Sequence, residues 1–151
     1  MSQSLSKIYI HAVFHTKYNA KLILPEDDAK LYAYMGSIIK DNDSIPIIIN
    51  GVENHIHLLF IMSKNIALAK IMEEIKKHSS RWIKTLSPHY ANFKWQGGYG
   101  GFSVSSSVVE RTKEYIKNQK THHQKKDFKD EYVTFLKEYG IDYNDEYLWV
   151  D

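Results

Sequence analysis

The order of strand-like and helix-like hydrophobic patterns is the feature that most constrains the fold of this chain. The pattern predicts, in order, a strand over Ile8–Tyr18, a helix from Pro25, strands over Ile45–Ile49 and His55–Met62, a helix over Ile66–Leu86 and a strand over Phe102–Ser105. This β-α-β-β-α-β order is typical of the ferredoxin-like, split βαβ fold. The fold class is therefore expected to be α+β, with a four-stranded antiparallel sheet backed by two helices.

The connections of this sheet can also be predicted. In the ferredoxin-like topology the first and third strands are the central pair, and the sheet face without helices is free or covered by later elements. The Asn50-Gly51 pair is typical of a tight hairpin turn, so it is expected to join the second strand to the third.

Two further helices are predicted after the fourth strand, and the first of them is expected to carry the main chemistry. This helix, over Val108–His123, has the spacing of a capping box between Ser107 and Glu110. The second helix, over Phe128–Tyr139, should end at Gly140, as helices commonly do at glycine.

Length and composition make one globular domain over residues 1–151 the expected organisation. Hydrophobic residues make up 43% of the 151 residues and charged residues 25%, which are ordinary values. The absence of cysteine excludes disulfide bonds, a thiolate metal site and a cysteine nucleophile. The longest apolar run, Ile45 to Ile49, is too short to cross a bilayer, and residues 1–7 contain no hydrophobic core of the kind found in signal peptides. We therefore expect a cytoplasmic protein with no membrane partner.

The net charge of +2 conceals an uneven distribution along the chain. Residues 1–126 contain 18 basic and 10 acidic residues, whereas residues 127–151 contain 2 basic and 8 acidic residues. A basic body favours a polyanionic partner such as nucleic acid, although lysine-rich surfaces also occur without one. The acidic segment 127–151 is expected to be a helical tail that is either solvated or shapes the path of nucleic acid.

Several basic residues lie on two predicted helices that could flank one nucleic-acid groove. Their positive charge would neutralise phosphates along a bound strand. The candidate DNA-binding residues are Lys70, Lys76, Lys77, Arg81, Lys113, Lys117 and Lys120.

Two histidines occupy alternate positions in the predicted third strand. Side chains at positions i and i+2 of a strand share a face, so His55 and His57 can bind one divalent cation together. Tyr115 and Gln119 lie one turn apart on the basic helix predicted over Val108–His123. A tyrosine there, beside an amide that binds a metal ion, could act as a nucleophile. The residues alone leave open that the histidine pair is incidental, that Tyr115 packs in the core and that Gln119 is solvated.

Taken together, these segments resemble the single-tyrosine HUH transposases of small bacterial insertion sequences, which include the REP-associated tyrosine transposases. The resemblance follows the family's order along essentially the whole chain. The matching segments are the opening strand 8–18, Asn54-His55-Ile56-His57-Leu58-Leu59, Ser79-Ser80-Arg81-Trp82, Trp95-Gln96-Gly97-Gly98-Tyr99 with Phe102-Ser103-Val104-Ser105, Glu114-Tyr115-Ile116-Lys117-Asn118-Gln119 and Glu146-Tyr147-Leu148-Trp149.

The resemblance implies a specific chemistry for four of these residues. His55, His57 and Gln119 would bind Mg²⁺ or Mn²⁺, and Tyr115 would attack a phosphate of single-stranded DNA with hairpin ends. The attack would form a 5′-phosphotyrosine link and free a 3′-hydroxyl, and rejoining would reverse the step. Family members are homodimers, so active sites shared between subunits are also implied.

Two other functions remain open at the level of sequence. A domesticated single-stranded nucleic-acid-binding module that has lost mobility would keep the sheet and the basic surface without cleaving DNA. A metal-dependent hydrolase would use water in place of Tyr115, and covalent attachment of DNA would separate these alternatives. The remaining histidines, among them His11, His15 and His123, are expected to be ordinary surface or core residues.

Overall fold

A computed structural model describes residues 2–123 and 126–149 of the chain. Its elements are the strands β1 (Ile8–His15), β2 (Ile45–Val52), β3 (His55–Met62) and β4 (Gly100–Val104) and the helices α1 (Pro25–Asp41), α2 (Leu68–Ile83), α3 (Val109–Lys117), α4 (Gln119–His122), α5 (Phe128–Glu138) and α6 (Asp145–Leu148). The strands form one antiparallel sheet in the order β2-β3-β1-β4. The α+β class, the ferredoxin-like strand order and the central β1–β3 pair are therefore confirmed. Over the described residues, none of the helices has the length and apolar character needed to span a bilayer.

One face of the sheet packs against α1 and α2. Ile10, Ala12 and Phe14 of β1 point to this face, as alternation along a strand requires. They share a buried core with apolar residues of both helices, including the fully buried Leu31 and Ile75. Close packing on this side fixes β1 and β3, so side chains on the opposite face of these strands have defined positions.

The opposite face of the sheet is covered by α3, α4 and α5. Val13 and Phe102 pack against Phe128, Tyr132 and Leu136 of α5, and each of these residues is at most 5% exposed. The first part of the acidic segment is therefore not a solvated tail, because α5 buries one of its sides on the sheet. The last two residues of that segment, 150 and 151, lie outside the described residues.

Both ends of α5 follow from local sequence signals. The side chain of Asp127 accepts a hydrogen bond from the backbone nitrogen of Asp130 at 2.9 Å, which caps the first turn. Gly140 follows the helix with φ of +62°, a left-handed conformation that glycine adopts without strain. The predicted end of this helix at Gly140 is therefore confirmed.

The hairpin between β2 and β3 turns later than the sequence predicts. Asn50 and Gly51 are paired inside the sheet with His57 and Ile56, and the chain turns at residues 53 and 54. Gly51 is needed at a close approach, since a Cβ there would lie 2.1 Å from the carbonyl oxygen of His55. The predicted turn at Asn50-Gly51 is wrong, because this glycine accommodates packing within a strand.

The helix predicted over Val108–His123 is divided into α3 and α4. Asn118 separates the two helices with φ of −95° and ψ of 16°. The predicted capping box is also wrong: the N-terminus of α3 has no side-chain cap, and the Ser107 hydroxyl lies 3.0 Å from that of Ser105. A separate turn of 3₁₀-helix precedes α3 instead.

Glycines in β4 let helices approach the sheet closely from both faces. A Cβ on Gly100 would lie 2.9 Å from the ring of Tyr132 in α5, and a Cβ on Gly101 would lie 2.9 Å from Leu68 in α2. A side chain at Gly100 would displace the aromatic ring of Tyr132, whereas at Gly101 the contact is with the end of the flexible Leu68 side chain. The result is that α5 can lie directly over the central strands.

Candidate active site

The central strands present their histidines to the face that α3, α4 and α5 cover. His55 and His57 of β3 are both fully buried. The antiparallel register of β1 and β3 places His15 opposite His55 and Val13 opposite His57. Because alternate residues of a strand share a face, His11 also lies on this side, where it is 2% exposed.

A single carboxylate, that of Glu131 on α5, lies at the centre of this histidine cluster. Its Oε1 atom is 2.9 Å from Nε2 of His57, 3.1 Å from Nε2 of His123 and 3.3 Å from Nε2 of His55. Burial opposes ionisation of this carboxyl. The hydrogen bonds from His123, His55 and His57 outweigh burial and hold the pKa of Glu131 well below its usual range. Glu131 is therefore an anion buried among imidazole rings.

Tyr115 reaches the same carboxylate from α3. Its hydroxyl donates a hydrogen bond to Oε2 of Glu131, and its ring centroid is 5.8 Å from that of His57. Burial raises the pKa of Tyr115 far above its ordinary value, and the negative charge of Glu131 and the hydrogen bond to it raise it further. In this arrangement the phenol is held protonated at neutral pH.

Gln119 joins the cluster from the start of α4. Its Nε2 lies 3.3 Å from Oε2 of Glu131, while its Oε1 is buried and has no hydrogen-bond partner among the described residues. The break between α3 and α4 places Gln119 there. Asn50 of β2 stabilises the break, because its Nδ2 donates to the carbonyl oxygens of Ile116 at 2.9 Å and Lys117 at 3.1 Å. These carbonyls belong to the last turn of α3, where helical carbonyl oxygens commonly need partners from outside the helix.

Hydrogen bonds behind the histidines orient their rings towards Glu131. Nδ1 of His55 lies 2.9 Å from Oδ1 of Asn54, so this contact holds the ring with its Nε2 towards the cluster. Nε2 of His11 lies 2.8 Å from Nδ1 of His57 and fixes that ring in turn. Burial lowers the pKa of His55 to about 4 and that of His11 well below its usual value, so both rings are neutral at pH 7.

The donor atoms of this cluster fit a divalent cation. The four ligand atoms offered by His55, His57, His123 and Glu131 lie within 4.8 Å of one another. Imidazole nitrogens and carboxylate oxygens are ligands that divalent transition ions accept. The unpartnered Oε1 of Gln119 offers one further oxygen among the described residues. The structure thus brings the four residues selected from the sequence, Tyr115, His55, His57 and Gln119, into one cluster within a single chain.

Two histidines that were expected to be ordinary surface or core residues, His11 and His123, lie against the candidate site. His11 contacts His57, and His123 contacts both Glu131 and His55, the latter with 3.1 Å between the two Nε2 atoms. The sequence contained a signal for His11, because pairing of the first and third strands at the centre of the sheet places it on the face of His57. His15, by contrast, is a buried core residue whose ring packs on Phe128 at 5.3 Å.

Glu131 is the site residue that the sequence analysis missed. Its side chain lies on the apolar side of α5, three residues after Phe128 and beside Tyr132. A carboxylate in an apolar helical stripe is rarely buried without a partner. The position of Glu131 within this apolar stripe could have identified it from the sequence. It was overlooked because the whole segment is rich in acidic residues.

The helices that carry the predicted DNA-binding residues pack on opposite faces of the sheet, and the binding of DNA by these residues stays a prediction. On the side of α1 and α2 lie Lys70, Lys76, Lys77 and Arg81. On the side of α3 and α4 lie Lys113, Lys117 and Lys120. Lys76 also has a role inside the protein, because its Nζ donates to the carbonyl oxygens of Gln96 at 2.6 Å and Gly98 at 2.8 Å.

An open cleft of about 420 Å³ lies between α3 and α5 and reaches the cluster. Tyr115, His122 and Glu131 contribute to its lining. Arg111 and Lys126 also line it, and neither was among the DNA-binding residues selected from the sequence. Both are cations that can meet a phosphate backbone near Tyr115.

A ferredoxin-like sheet with paired histidines on its central strand and a tyrosine helix across the same face defines a single-tyrosine transposase. Residues 4–119 match the family described as "Transposase IS200 like", and the chain belongs to that family. The resemblance found in the sequence is thus confirmed, and the protein is a transposase and an enzyme of DNA recombination. A comparison with functionally curated protein sequences gives no match.

Two solved structures share the fold of this chain. A candidate transposase from Deinococcus radiodurans R1 matches with a TM-score of 0.62 and 20% identity, over 79% of this chain and 98% of its own. A REP-associated tyrosine transposase bound to a REP hairpin matches with a TM-score of 0.59 and 13% identity, over 82% of this chain and 74% of its own. At these identities the likeness establishes the fold alone.

Proposed function

We propose that this transposase cleaves and rejoins single-stranded DNA with hairpin ends through a covalent bond to Tyr115. The observation that carries the proposal is that one carboxylate joins the groups such a reaction requires. Oε1 of Glu131 meets Nε2 of His55 and of His57, and Oε2 accepts the hydrogen bond of Tyr115. The candidate nucleophile and the candidate metal ligands of one chain therefore occupy one buried cluster.

His55, His57 and Gln119 are the proposed ligands of a divalent ion, Mg²⁺ or Mn²⁺. Two observations support this assignment: Nε2 of His55 lies in the cluster, and among the described residues Oε1 of Gln119 has no hydrogen-bond partner. When bound, the ion supplies a Lewis acid that withdraws charge from the scissile phosphate. The protein orients His55 through Asn54 and His57 through His11.

Tyr115 is the proposed nucleophile. Its phenolic oxygen forms a bond to phosphorus while the bond from phosphorus to the 3′-oxygen breaks, which gives a 5′-phosphotyrosine and a free 3′-hydroxyl. The phenolic proton passes to Oε2 of Glu131, and the departing 3′-oxygen takes up a proton from solvent in the open cleft. Rejoining is the reverse attack by a 3′-hydroxyl, so the reaction needs no nucleotide hydrolysis.

Positive charge in the site is required before Tyr115 can react. The raised pKa of Tyr115 and the lowered pKa of Glu131 both oppose proton transfer between them. A cation near the Tyr115 oxygen stabilises the phenolate and lowers the pKa of Tyr115, so it makes the proton transfer easier. Arg111 and Lys126 line the cleft beside Tyr115 and are positioned to contribute such charge.

DNA is proposed to enter by this cleft, on the side of the sheet that carries Lys113, Lys117 and Lys120. The solved relative bound to a REP hairpin supports a hairpin substrate. A homodimer is proposed from the family resemblance, with residues 1–151 as one domain of each subunit. Because Tyr115 lies beside His57 of its own chain, each proposed site is complete within one subunit in this arrangement.

Covalent capture of labelled DNA tests the proposal. The wild-type protein, incubated with Mn²⁺ and a hairpin oligonucleotide labelled at its 3′ end, is expected to give an adduct that survives denaturing electrophoresis. Tyr115→Phe should abolish the adduct and leave hairpin affinity almost unchanged, because only the phenolic oxygen is removed. Tyr18→Phe is the matched control, since Tyr18 is exposed and belongs to a different region, and it should keep the adduct.

Three results would contradict the proposal, each in a different way. An adduct that persists in Tyr115→Phe would identify another nucleophile. Cleavage by the wild type without any adduct would indicate a hydrolase that uses water. Hairpin binding with neither cleavage nor adduct, across a range of divalent ions, would indicate a nucleic-acid-binding module.

A further inference from the structure

Two side chains outside the family's metal signature lie among the candidate ligands. His123 follows α4, and Glu131 belongs to α5, so both come after the tyrosine helix in the chain. We propose that His123 and Glu131 bind the divalent ion together with His55 and His57. This inference rests on the proposed function only in that it requires an ion at the same site.

The spacing of the ligand atoms matches a single coordination sphere. The Nε2 atoms of His55 and His123 are 3.1 Å apart, and Oε1 of Glu131 is 2.9–3.3 Å from the Nε2 atoms of the three histidines. Ligands about 2.1 Å from a shared ion are separated by about 3.0 Å at octahedral angles and about 3.4 Å at tetrahedral angles. Oε1 of Glu131 therefore lies at such a separation from all three imidazole nitrogens, and the four ligand atoms lie within 4.8 Å of one another.

The burial of the carboxylate also favours a cation at this place. Glu131 is only 2% exposed, and the side chains that reach its Oε1 are three imidazoles, which bind a metal ion through a ring nitrogen when they are neutral. A divalent ion bound by these groups would balance the buried negative charge of Glu131.

The packing of α5 on the sheet positions Glu131 in the histidine cluster without the help of an ion. Phe128 and Tyr132 flank Glu131 on the buried side of the helix and pack against the sheet. Gly100 leaves the room that the ring of Tyr132 occupies. Apolar contacts thus hold the carboxylate in place in advance, which reduces the entropic cost of assembling the ligands around an ion.

Calorimetric titration of Mn²⁺ into chelator-stripped protein tests this assignment without reference to catalysis. Removal of one ligand should weaken Mn²⁺ binding at least about tenfold, so we expect this loss for both Glu131→Gln and His123→Asn. Glu138→Gln is the matched control on α5, because Glu138 is an exposed acid of the same helix, and its affinity should equal that of the wild type. His78→Asn, on α2, is the corresponding control for loss of a histidine.

Circular dichroism of each variant in chelator shows whether it folds. If Glu131→Gln does not fold, Glu131→Asp keeps the charge but shortens the side chain, and it should weaken binding in the same way. Wild-type affinity in folded variants at both positions, or no Mn²⁺ binding by the wild type, would overturn the assignment. The DNA adduct test is separate, since an adduct that depends on Tyr115 would uphold the proposed function even if His123 and Glu131 proved dispensable for binding Mn²⁺.

Discussion

Acidification should destabilise the fold through His55, which is buried as a neutral ring. Its pKa falls from 6.5 to about 4 on folding, chiefly because burial disfavours the charged form. Between these pH values the unfolded chain binds a proton that the folded protein does not. Stability is therefore complete above pH 6.5 and decreases as the pH falls towards 4. His11, whose pKa is also lowered by burial, acts in the same direction.

The expected loss follows from the two pKa values of His55. A difference of about 2.5 between them corresponds to about 3 kcal/mol once the whole interval is crossed, at about 1.4 kcal/mol for each unit. Between pH 7.5 and pH 5.0 the loss is about 2 kcal/mol, because the folded ring is still mostly neutral at pH 5.0. Domains of this size are commonly stable by about 5–15 kcal/mol, so the loss is large enough to measure.

Urea unfolding at pH 7.5 and pH 5.0, in the presence of a chelator, measures this loss in the wild type and in His55→Asn. Asparagine keeps a donor towards Asn54 but does not titrate. The wild type should lose about 2 kcal/mol more than His55→Asn between the two pH values. His78→Asn, at a partly exposed position on α2, should lose as much as the wild type. Equal losses in the wild type and His55→Asn would refute the inference that His55 is buried in its neutral form.

Two further predictions concern DNA and the arrangement of subunits. Filter binding of a hairpin oligonucleotide across a salt series should show weaker binding at higher salt. Lys117→Ala should reduce the slope of log affinity against log salt by about 0.7. Lys30→Ala, on the opposite side of the sheet, should leave this slope unchanged. Equal effects of the two substitutions would show that DNA binds elsewhere. Mixing Tyr115→Phe with His57→Ala protein should not restore the DNA adduct, because Tyr115 lies beside His57 of its own chain, and restored adduct would show that subunits share sites.

The sheet was predictable because its signals are local and periodic. Alternation along β1 and β3, and the order of strands and helices, were enough to place the two strands at the centre. Two of the local errors have a common physical cause: contacts between residues that are distant in the sequence or across a hairpin. Gly51 was predicted to be a turn residue. Glycine is needed there because a Cβ would clash with the carbonyl oxygen of His55 on the neighbouring strand. The break at Asn118 is stabilised by Asn50, whose side chain reaches the end of α3 from a strand far earlier in the chain.

The candidate site was predictable only as far as its residues share an element. His55 and His57 alternate on one strand, and Tyr115 and Gln119 lie one turn apart, so spacing alone groups each pair. Nothing in the spacing joins either pair to Glu131. That contact depends on how α5 docks, and docking depends on space left by glycines in β4.

The docking of α5 brings the acidic segment of the chain into contact with its basic body. The basic body places several imidazoles on one sheet face, and the acidic segment supplies the carboxylate that lies among them. A carboxylate buried at 2% exposure is costly unless its charge is balanced, so α5 cannot be regarded as an appendage that follows a finished domain. Its apolar side also covers Val13 and Phe102, which would otherwise face solvent. The segment that composition alone separates from the body is therefore part of both the core and the candidate site.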